Sequence, residues 1–263
     1  SKLNRFANYR YLKTLTNQLK PDLIHLHTSD SLTVFVFSDL LFRLKTKTIF
    51  SRKGISAHSS FLSNLKYNYS GVSSVFCVSQ NVQEHFNGIL KAKNRLKTTV
   101  LPDCVSLGIL KSDEVLNLRS KYSVNESYAI IGNIANHTSA KDLFTFIYVV
   151  DYLVNVIGKK DVVFFQIGEF TKLTSSLLNI VKQRKLEDFI IFTDKIENAF
   201  CLNTQFDLFL LTSEREGGPT SVLEAMLMGT PVVTTNVGIV KDVIIDGVNG
   251  FVSAIKDYKS LAE

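Results

Sequence analysis

Short apolar runs rich in valine, isoleucine and phenylalanine alternate along the chain with segments of helical periodicity. Such runs are typical of strands that a parallel sheet buries on both faces. The first half contains four of them and the second half six: DLIHLHT, KTIFSR, SVFCVS, KTTVLP, YAIIGNI, VVFFQIG, FIIFTD, FDLFLLT, TPVVTT and GFVSA. Because helical segments stand between the strands, the pattern predicts doubly wound α/β domains.

The alternation lapses between Pro102 and Ala129, where the sequence is polar and partly helical and has no strand pattern. A domain boundary is expected in such a segment. We predict an N-terminal Rossmann-like domain over 1–110, a linker over 111–125 and a C-terminal Rossmann-like domain over 126–263. With only four predicted strands the first domain is incomplete, and its first strands are expected upstream of the printed sequence.

Composition is ordinary for a globular protein, with 45% hydrophobic and 21% charged residues, and excludes general disorder. The charge is unevenly placed. Residues 1–107 contain 15 Lys and Arg against 5 Asp and Glu, whereas residues 108–263 contain 15 against 19. The basic half is either a solvated surface or a face for an anionic partner, such as a phospholipid membrane or a phosphorylated substrate. No binding motif or basic–aromatic interleaving indicates nucleic acid.

Three cysteines lie far apart and fit neither a disulfide framework nor a metal-ligand spacing, which indicates a reducing compartment: Cys77, Cys104 and Cys201. No secretory signal opens the sequence, and SLTVFVFSDLLF is about half as long as a membrane span needs to be. His25 and His27 share one face of a predicted strand, but no acid or thiol is arranged to complete a metal site with them.

The stretch SEREGGPTSVLEAMLMGTPVVTT places Glu216 and Glu224 on either side of a strand-to-helix turn. Pro219 suits the first turn of the helix. The helix N-terminus presents free N–H groups at the carboxyl end of a strand, where α/β sheets bind phosphates. Gly217 and Gly218 let a ligand approach the backbone closely. Because Glu224 could accept hydrogen bonds from a ribose diol, the pattern favours a nucleotide-sugar site.

The stretch from Ser213 to Ala254 closely resembles the donor-binding signature of retaining GT-B glycosyltransferases, in particular glycosyltransferase family 4. The signature has a serine, an E-G-x-P turn, a helix with a second glutamate, the sequence EAM…G.PVV.T and a D-G-x-N-G turn. KPDLIHLHTS, KYNYSGVSSVFCVSQNVQEHF and FFQIGE agree with other segments of the family. The resemblance implies a GT-B fold, with the family's glycine-rich loop upstream and its closing helices downstream of this sequence.

By this resemblance, Glu224 binds the donor ribose, and Glu216 contacts the transferred sugar as a catalytic residue. Backbone groups of the turn and the N–H groups of the helix hold the sugar and the diphosphate: Gly217, Gly218, Pro219, Thr220, Ser221 and Val222. Gly168 corresponds to the glycine of the family's second strand and loop, and is also assigned to the donor site.

The family carries an arginine and a lysine after the first strand of the donor domain, which offset the charge on the leaving diphosphate. Lys141 matches the lysine and is assigned to catalysis. Asn133 stands at the arginine position and is assigned to the donor site, so that cation is missing unless His137 substitutes for it. The missing arginine leaves open an alternative, a non-catalytic sugar-nucleotide-binding accessory protein.

Many relatives carry a histidine after the second strand, where this sequence has Arg52 and Lys53. These residues, with His58 nearby, are assigned to the acceptor side, where a basic group could contact an acceptor phosphate. Together with the basic first half, they favour a cytoplasmic protein that attaches peripherally to the inner face of the membrane.

The resemblance implies transfer of a sugar from a UDP- or GDP-linked donor to a glycan or lipid-linked acceptor, with retention of anomeric configuration, in cell-surface polysaccharide biosynthesis. No cofactor and no metal are expected, because the sequence has no Asp-x-Asp pair to hold a cation on the diphosphate. The printed stretch alone is expected to be inactive, because the start of the acceptor domain is missing from it.

Overall fold

The computed structural model describes residues 5–55, 61–108 and 116–263. Contacts between residues divide the chain into two compact units, Ser1–Pro102 and Asp103–Glu263. Each unit is built on one parallel sheet with helices between successive strands. Within the described residues, no helix is long and apolar enough to cross a membrane.

The first unit has a four-stranded parallel sheet in the order β1-β2-β3-β4. Its elements are α1 (Arg5–Leu19), β1 (Leu23–Leu26), α2 (Ser29–Phe42), β2 (Lys47–Arg52), α3 (Phe61–Tyr67), β3 (Ser74–Cys77), α4 (Gln80–Ile89), α5 (Ala92–Arg95) and β4 (Thr98–Val100). Phe35 of α2 and Phe86 of α4 are buried with Phe50 of β2 in the core of this unit. Burying each aromatic ring contributes roughly 2 kcal/mol of hydrophobic stabilisation.

The second unit has a six-stranded parallel sheet in the order β10-β9-β8-β5-β6-β7. Its elements are α6 (Leu118–Tyr122), β5 (Ala129–Ile134), α7 (Leu143–Asp151), β6 (Val162–Ile167), α8 (Thr174–Gln183), β7 (Ile190–Thr193), β8 (Leu208–Leu211), α9 (Thr220–Leu227), β9 (Val232–Thr235), α10 (Val240–Val243), β10 (Phe251–Ser253) and α11 (Tyr258–Ala262). A π-helical turn, Tyr152–Ile157, extends α7, and a 3-10 segment, Ala199–Gln205, precedes β8.

The strand order reverses at β5. From β5 the chain proceeds outward through β6 and β7, and then returns to place β8 on the other side of β5. The loops after β5 and β8 therefore leave in opposite directions and open a crevice at the carboxyl ends of these strands. Such a topological switch point is where open α/β sheets bind their ligands.

Strand β6 shows why its sequence is continuously apolar. All six residues of Val162–Ile167 are buried. Phe165 contributes to the core on one face of the sheet and Phe164 to the core on the other. Because helices cover both faces, an alternation of polar and apolar residues would bury polar side chains on one of them.

Each of the ten apolar runs contains one of the ten strands of the described residues, and the predicted α/β fold class is confirmed. The segment predicted as a linker differs in part. Leu118 is fully buried in the second unit, and its N–H donates to Gln205 Oε1 at 2.8 Å. Residues 116–125 therefore belong to the second unit, while 109–115 lie outside the described residues.

Candidate functional site

Two loops meet at the switch point of the second sheet. The loop after β5 includes a short 3-10 turn, Ser139–Lys141, and the loop after β8 begins at Thr212. The Ala140 carbonyl accepts from Glu214 N at 2.9 Å and from Arg215 N at 3.2 Å. The Thr212 hydroxyl donates to the Asp142 carbonyl at 3.1 Å. Backbone hydrogen bonds thus fix the two loops against each other.

Lys141 and Glu216 form an ion pair across these loops, with Nζ 2.5 Å from Oε1. The Ser213 hydroxyl donates to the same carboxylate oxygen at 2.7 Å. Ser213 is held in turn by Thr235, whose hydroxyl donates to the Ser213 carbonyl at 2.6 Å. Two donors fix the orientation of the Glu216 carboxylate, and both charged side chains remain partly open to solvent. A ligand at the crevice can therefore reach this pair.

Helix α9 begins directly after the loop. Pro219 is its N-cap residue, with φ −68° and ψ 93°, one position earlier than the helical position predicted from the sequence. No side chain caps this helix. The Val222 N–H donates to the Pro219 carbonyl at 3.0 Å, so it is already used, unlike the prediction that it holds the diphosphate. Thr220 and Ser221 remain the candidates at the N-terminus for contact with an anion.

Glu224 lies one turn into α9 and is half-buried. Burial raises the pKa of its carboxyl above the ordinary value, and a hydrogen bond with the Thr220 side chain opposes that shift. A carboxylate held on a rigid helix beside the switch point can accept hydrogen bonds from a diol. The ribose role that the resemblance implies for Glu224 stays a prediction.

Two glycines are required where backbones meet at this edge. A β-carbon on Gly238, which has φ +55°, would stand 2.6 Å from the Gly217 carbonyl oxygen and 3.1 Å from Pro219 Cδ. A β-carbon on Gly168 would stand 2.1 Å from the Ala135 carbonyl oxygen. Gly238 therefore lets the β9–α10 loop support the glycine turn, and Gly168 lets the loops after β5 and β6 touch. The loop after β9 therefore packs against the backbone of the turn at Gly217 and Gly218.

A cavity of about 360 Å³ opens at the ends of β5, β6 and β7. Its walls combine apolar side chains with polar groups of three loops: Ile134, Ala135, Asn136, Thr138, Lys141, Ile167, Gly168, Lys195, Ile196 and Ala199. Lys141 belongs both to this cavity and to the ion pair with Glu216, so the cavity adjoins the crevice. An apolar slot with two lysines in its lining suits a planar, partly apolar ring that is joined to an anion.

Asn133 does not occupy the place that the sequence interpretation gave it. Its side chain is 1% exposed, and Nδ2 donates to the Leu210 carbonyl at 2.7 Å inside the sheet. A strand residue that faces a neighbouring strand in this way cannot replace an arginine at the strand end. Asn136, three positions later, is one of the polar residues that line the cavity with Lys141.

His137 does not supply the missing cation either. It is buried, with Nδ1 2.7 Å from Thr174 Oγ1 and Nε2 2.5 Å from Gln166 Oε1. Burial lowers the pKa of the ring, while the bond to Gln166 and the Asp194 carboxylate act in the opposite direction. Because both ring nitrogens are engaged and the neutral form is favoured, His137 holds structure instead of binding an anion directly.

Sequence reasoning missed Asn136, Thr138 and Lys195 as cavity residues. The signal for the first two was their place in the loop between β5 and Lys141. Lys195 lies two residues after the end of β7, but nothing in its local sequence distinguishes it from other surface lysines. Only the sheet order brings it to the same edge as Lys141.

The acceptor-side residues belong to the first unit. Arg52 is buried, its guanidinium lies over the rings of Tyr67 and Phe86, and Nη1 donates to the Tyr67 hydroxyl at 3.2 Å. Lys53 is exposed at the end of the same strand, and His58 lies outside the described residues. Arg52 is therefore an internal support of this edge, and Lys53 is the cation that solvent reaches.

His25 of β1 and His27, which directly follows the strand, have ring centroids 3.9 Å apart, and His25 Nε2 is 2.8 Å from the Ser51 hydroxyl. Desolvation lowers the pKa of His25, and the charges of His27 and Lys53 add to that shift. In the described part of the chain, no three His, Cys, Asp or Glu side chains come together as metal ligands.

Comparison with known families matches the model of glycosyl transferases group 1 to residues 115–263, which is more than half of the chain and includes the whole crevice. The O-antigen biosynthesis glycosyltransferase WclY of Escherichia coli is 24% identical over 234 residues, covering 83% of this chain and 62% of that protein. The N-acetyl-alpha-D-glucosaminyl L-malate synthase of Bacillus anthracis is 29% identical over 150 residues, covering 57% of this chain and 38% of that protein. The chain thus spans less than two thirds of these relatives.

Solved structures share the fold. HepE of Anabaena, solved with UDP-glucose, superposes with a TM-score of 0.84 at 20% identity, covering 97% of this chain and 70% of that one. A glycosyltransferase of Rickettsia africae has a TM-score of 0.80 at 17% identity, covering 100% of this chain and 70% of that one. Both comparisons agree with a GT-B fold. With the family match over residues 115–263, they lead to one conclusion: this chain belongs to the glycosyl transferases group 1 family.

Proposed function

We propose that this chain binds a nucleoside-diphosphate sugar and acts in a retaining family 4 glycosyltransferase of cell-surface polysaccharide biosynthesis. The observation that carries the proposal is the Lys141–Glu216 pair, 2.5 Å apart at the switch point and next to the uncapped N-terminus of α9. A cation, a fixed carboxylate and free helix N–H groups are what a sugar diphosphate requires.

In the proposed complex the diphosphate lies at Thr220 and Ser221, the ribose at Glu224 and the transferred sugar at Glu216. The base lies in the cavity at the ends of β5, β6 and β7, between Ile134, Ile167 and Ile196. Lys141 offsets the negative charge that grows on the diphosphate as the glycosidic bond breaks. The acceptor hydroxyl then attacks the face from which the diphosphate leaves, so the anomeric configuration is retained.

The donor proposal rests on geometry and on relatives. HepE has been solved with UDP and with UDP-glucose, and WclY is named as an O-antigen biosynthesis glycosyltransferase. For this chain we therefore propose a UDP- or GDP-linked donor and a glycan or lipid-linked acceptor. No metal is needed in this scheme, because Lys141 and the helix N-terminus provide the positive potential.

Calorimetric titration with UDP, GDP and ADP tests the donor site. We expect one of these nucleotides to bind without added divalent metal, and Glu224→Ala to weaken that binding about 30-fold, the loss expected for hydrogen bonds to a charged group. Glu187→Ala is the matched control, because Glu187 is exposed and does not line the cavity. Equal binding by both variants would reject the ribose role of Glu224.

Retention is tested on the product of the whole protein. The anomeric proton coupling of the glycoside product, measured by NMR, should show the same configuration as the donor sugar. An inverted centre would contradict the retaining assignment while leaving the nucleotide site intact.

The alternative function, a non-catalytic sugar-nucleotide-binding accessory protein, is favoured by one observation. Asn133 stands at the arginine position of the family and is buried inside the sheet, and Asn136, which lines the cavity in the same loop as Lys141, is also neutral. This alternative predicts nucleotide binding of ordinary affinity with neither transfer nor hydrolysis of the donor by the whole protein. Replacing Asn136 by arginine should then raise turnover if only the cation is missing.

Attachment to the inner face of the membrane is a further part of the proposal. On α2, Phe37, Leu40 and Leu41 are 46%, 61% and 53% exposed and form one stripe by their spacing. Exposed Arg43 and Lys45 follow the helix directly. Apolar side chains beside basic ones suit an anionic bilayer surface.

Sedimentation with phosphatidylglycerol vesicles at low salt tests this attachment. The double variant Leu40→Ser with Leu41→Ser should lose vesicle binding, and Val248→Ser, which alters an exposed apolar residue of the second unit, should keep it. Equal sedimentation of the wild type with neutral phosphatidylcholine vesicles would contradict the role of charge.

A further inference from the structure

A chain of buried polar side chains crosses the second sheet next to the residues that line the donor cavity. Asn133 Nδ2 donates to the Leu210 carbonyl of β8, and Gln166 Nε2 donates to Asn133 Oδ1 at 3.2 Å and to the Ala135 carbonyl at 2.7 Å. The next member is His137, whose Nε2 lies 2.5 Å from Gln166 Oε1. Asn133, Gln166 and His137 are each 1% exposed or less.

The network determines where the proton of the His137 ring lies. Because Gln166 Nε2 faces two carbonyl-type acceptors, its Oε1 must face the ring, and an amide oxygen only accepts. His137 Nε2 therefore carries hydrogen. On the other side, Thr174 Oγ1 accepts from Thr171 N at 2.9 Å and lies 2.7 Å from His137 Nδ1. The hydroxyl hydrogen of Thr174 is free to donate to Nδ1, and every group is satisfied when the ring is neutral.

His137 also holds the two loops that form the cavity rim. The backbone N–H of His137 donates to the Glu169 carbonyl at 3.2 Å, and its backbone carbonyl accepts from the Thr171 hydroxyl at 2.6 Å. Beside it, Asn136 Oδ1 accepts from Glu169 N at 3.0 Å. Lys141 N donates to the Thr138 carbonyl at 3.1 Å, so the position of Lys141 depends on this loop.

We propose that His137 is a positioning residue of the donor site: its neutral, Nε2-protonated ring fixes the loops after β5 and β6, and protonation of the ring loosens the cavity and weakens donor binding. This inference rests on the proposed donor site.

The surroundings of the ring explain why protonation is unfavourable. The rings of Phe170 and Phe192 lie with centroids 5.1 and 5.5 Å from the imidazole. Asp194 is the ionisable group whose charge acts on His137, but its carboxylate already accepts from Phe170 N and Lys195 N at 3.1 and 2.7 Å. If Nδ1 were protonated, the Thr174 hydroxyl could no longer donate its hydrogen to that nitrogen. Burial lowers the pKa of the ring, in agreement with this geometry.

The first test is calorimetric titration with UDP-glucose from about pH 8 to about pH 5.5. Both phosphates of this probe are esterified, so the ligand itself does not titrate in that range. We expect the affinity of the wild type for UDP-glucose to fall as the pH is lowered. The fall should be about tenfold for each unit by which UDP-glucose binding lowers the pKa of the His137 ring. His137→Gln keeps a neutral amide that can donate to Gln166, and it should bind at pH 8 with little change and lose the pH dependence.

A wild-type affinity that is flat over this range, or an equal pH dependence in His137→Gln, would overturn the proposal. Absence of UDP-glucose binding at pH 8 would count instead against a UDP-linked donor at the proposed site. The second test separates these outcomes because it needs no ligand. In ¹⁵N NMR, the His137 ring should show hydrogen on Nε2, and the amide signals of Asn136, Thr138 and Gly168 should titrate with that ring. Amide signals that do not follow the ring would reject the positioning role, whether or not a nucleotide binds.

Discussion

The two sides of the switch point place polar groups at the same sheet edge in different ways. On the β8 side, one contiguous stretch carries the functional groups, and two of them are charged and partly open to solvent: Glu216 and Glu224. On the β5 and β6 side, groups distant in sequence form a neutral network inside the sheet: Asn133, Gln166, His137 and Thr174. Both sides meet at Lys141, which pairs with Glu216 and also lines the cavity.

The difference follows from desolvation. A carboxylate keeps its charge at a sheet edge because water and a nearby cation stabilise it, whereas the same charge inside the sheet would be too unfavourable. Amide and imidazole groups can be buried because each donor finds an acceptor. The β8 side therefore supplies carboxylates that a ligand can reach, and the buried network of the other side supports the loop that carries Lys141.

The substitution with the largest expected effect breaks the contact between the two sides of the crevice. Lys141→Met removes the cation that we propose to face the diphosphate, and we expect nucleotide affinity to fall about 100-fold. Lys195→Met is the matched control, because Lys195 lines the same cavity without an ion pair to Glu216, and we expect a loss below about fivefold. Calorimetry measures both. Equal losses would indicate that only the net charge of the cavity matters.

The neutral side is tested by Gln166→Leu. This change leaves Asn133 Oδ1, the Ala135 carbonyl and His137 Nε2 without their buried partner, and we expect the free energy of unfolding to fall by about 3 kcal/mol. Asn155→Leu removes an amide that also makes two hydrogen bonds but is exposed, and should alter stability by less than about 1 kcal/mol. Chemical denaturation measures both, and similar losses would contradict a special role for the buried network.

Gly238→Ala tests the support that the loop after β9 gives to the turn at Gly217. A methyl group would meet the Gly217 carbonyl at 2.6 Å in a backbone with φ +55°, and we expect a loss of about 2 kcal/mol together with weaker nucleotide binding. Gly229→Ala is the control, since Gly229 also has a positive φ of +77° but open space around it. Its loss should be about 1 kcal/mol, with unchanged binding. Thermal unfolding and calorimetry distinguish the two.

The smallest expected effect concerns the burial of Glu224. Since its folded pKa is raised above the unfolded value, the folded state binds more protons there, and this carboxyl lowers stability as pH rises through and above its unfolded pKa. Glu224→Gln should therefore melt slightly higher than the wild type at pH 7, and the difference should vanish below about pH 4. A lower melting temperature for the variant at pH 7 would contradict this account.

Much of this protein could be predicted from local sequence. The strands of both sheets, the turn from Ser213 to Pro219 and the place of Glu224 on the following helix follow from patterns within a few residues of each other. The assignment of Asn133 to the donor site failed because counting along a strand does not show which way a side chain faces. In the structure it faces β8 and bonds to Leu210. Whether His137 substitutes for the arginine stayed open in the sequence, because the burial of its ring depends on Gln166 of β6 and Thr174 of α8.

The sequence by itself determined the alternation of strands and helices, the charged turn after β8 and the uneven charge of the two halves. These features depend on local periodicity, turn chemistry and composition. Only the tertiary structure decided that β8 returns to the other side of β5, and so which residues meet. The Lys141–Glu216 pair joins residues that are 75 positions apart, and the proton on His137 is placed by a glutamine 29 positions away. Contacts over such separations arise from the order of the strands in the sheet, which decides which strand ends are neighbours. No local pattern encodes that order, because helices bury both faces of every strand and all the strands are similarly apolar.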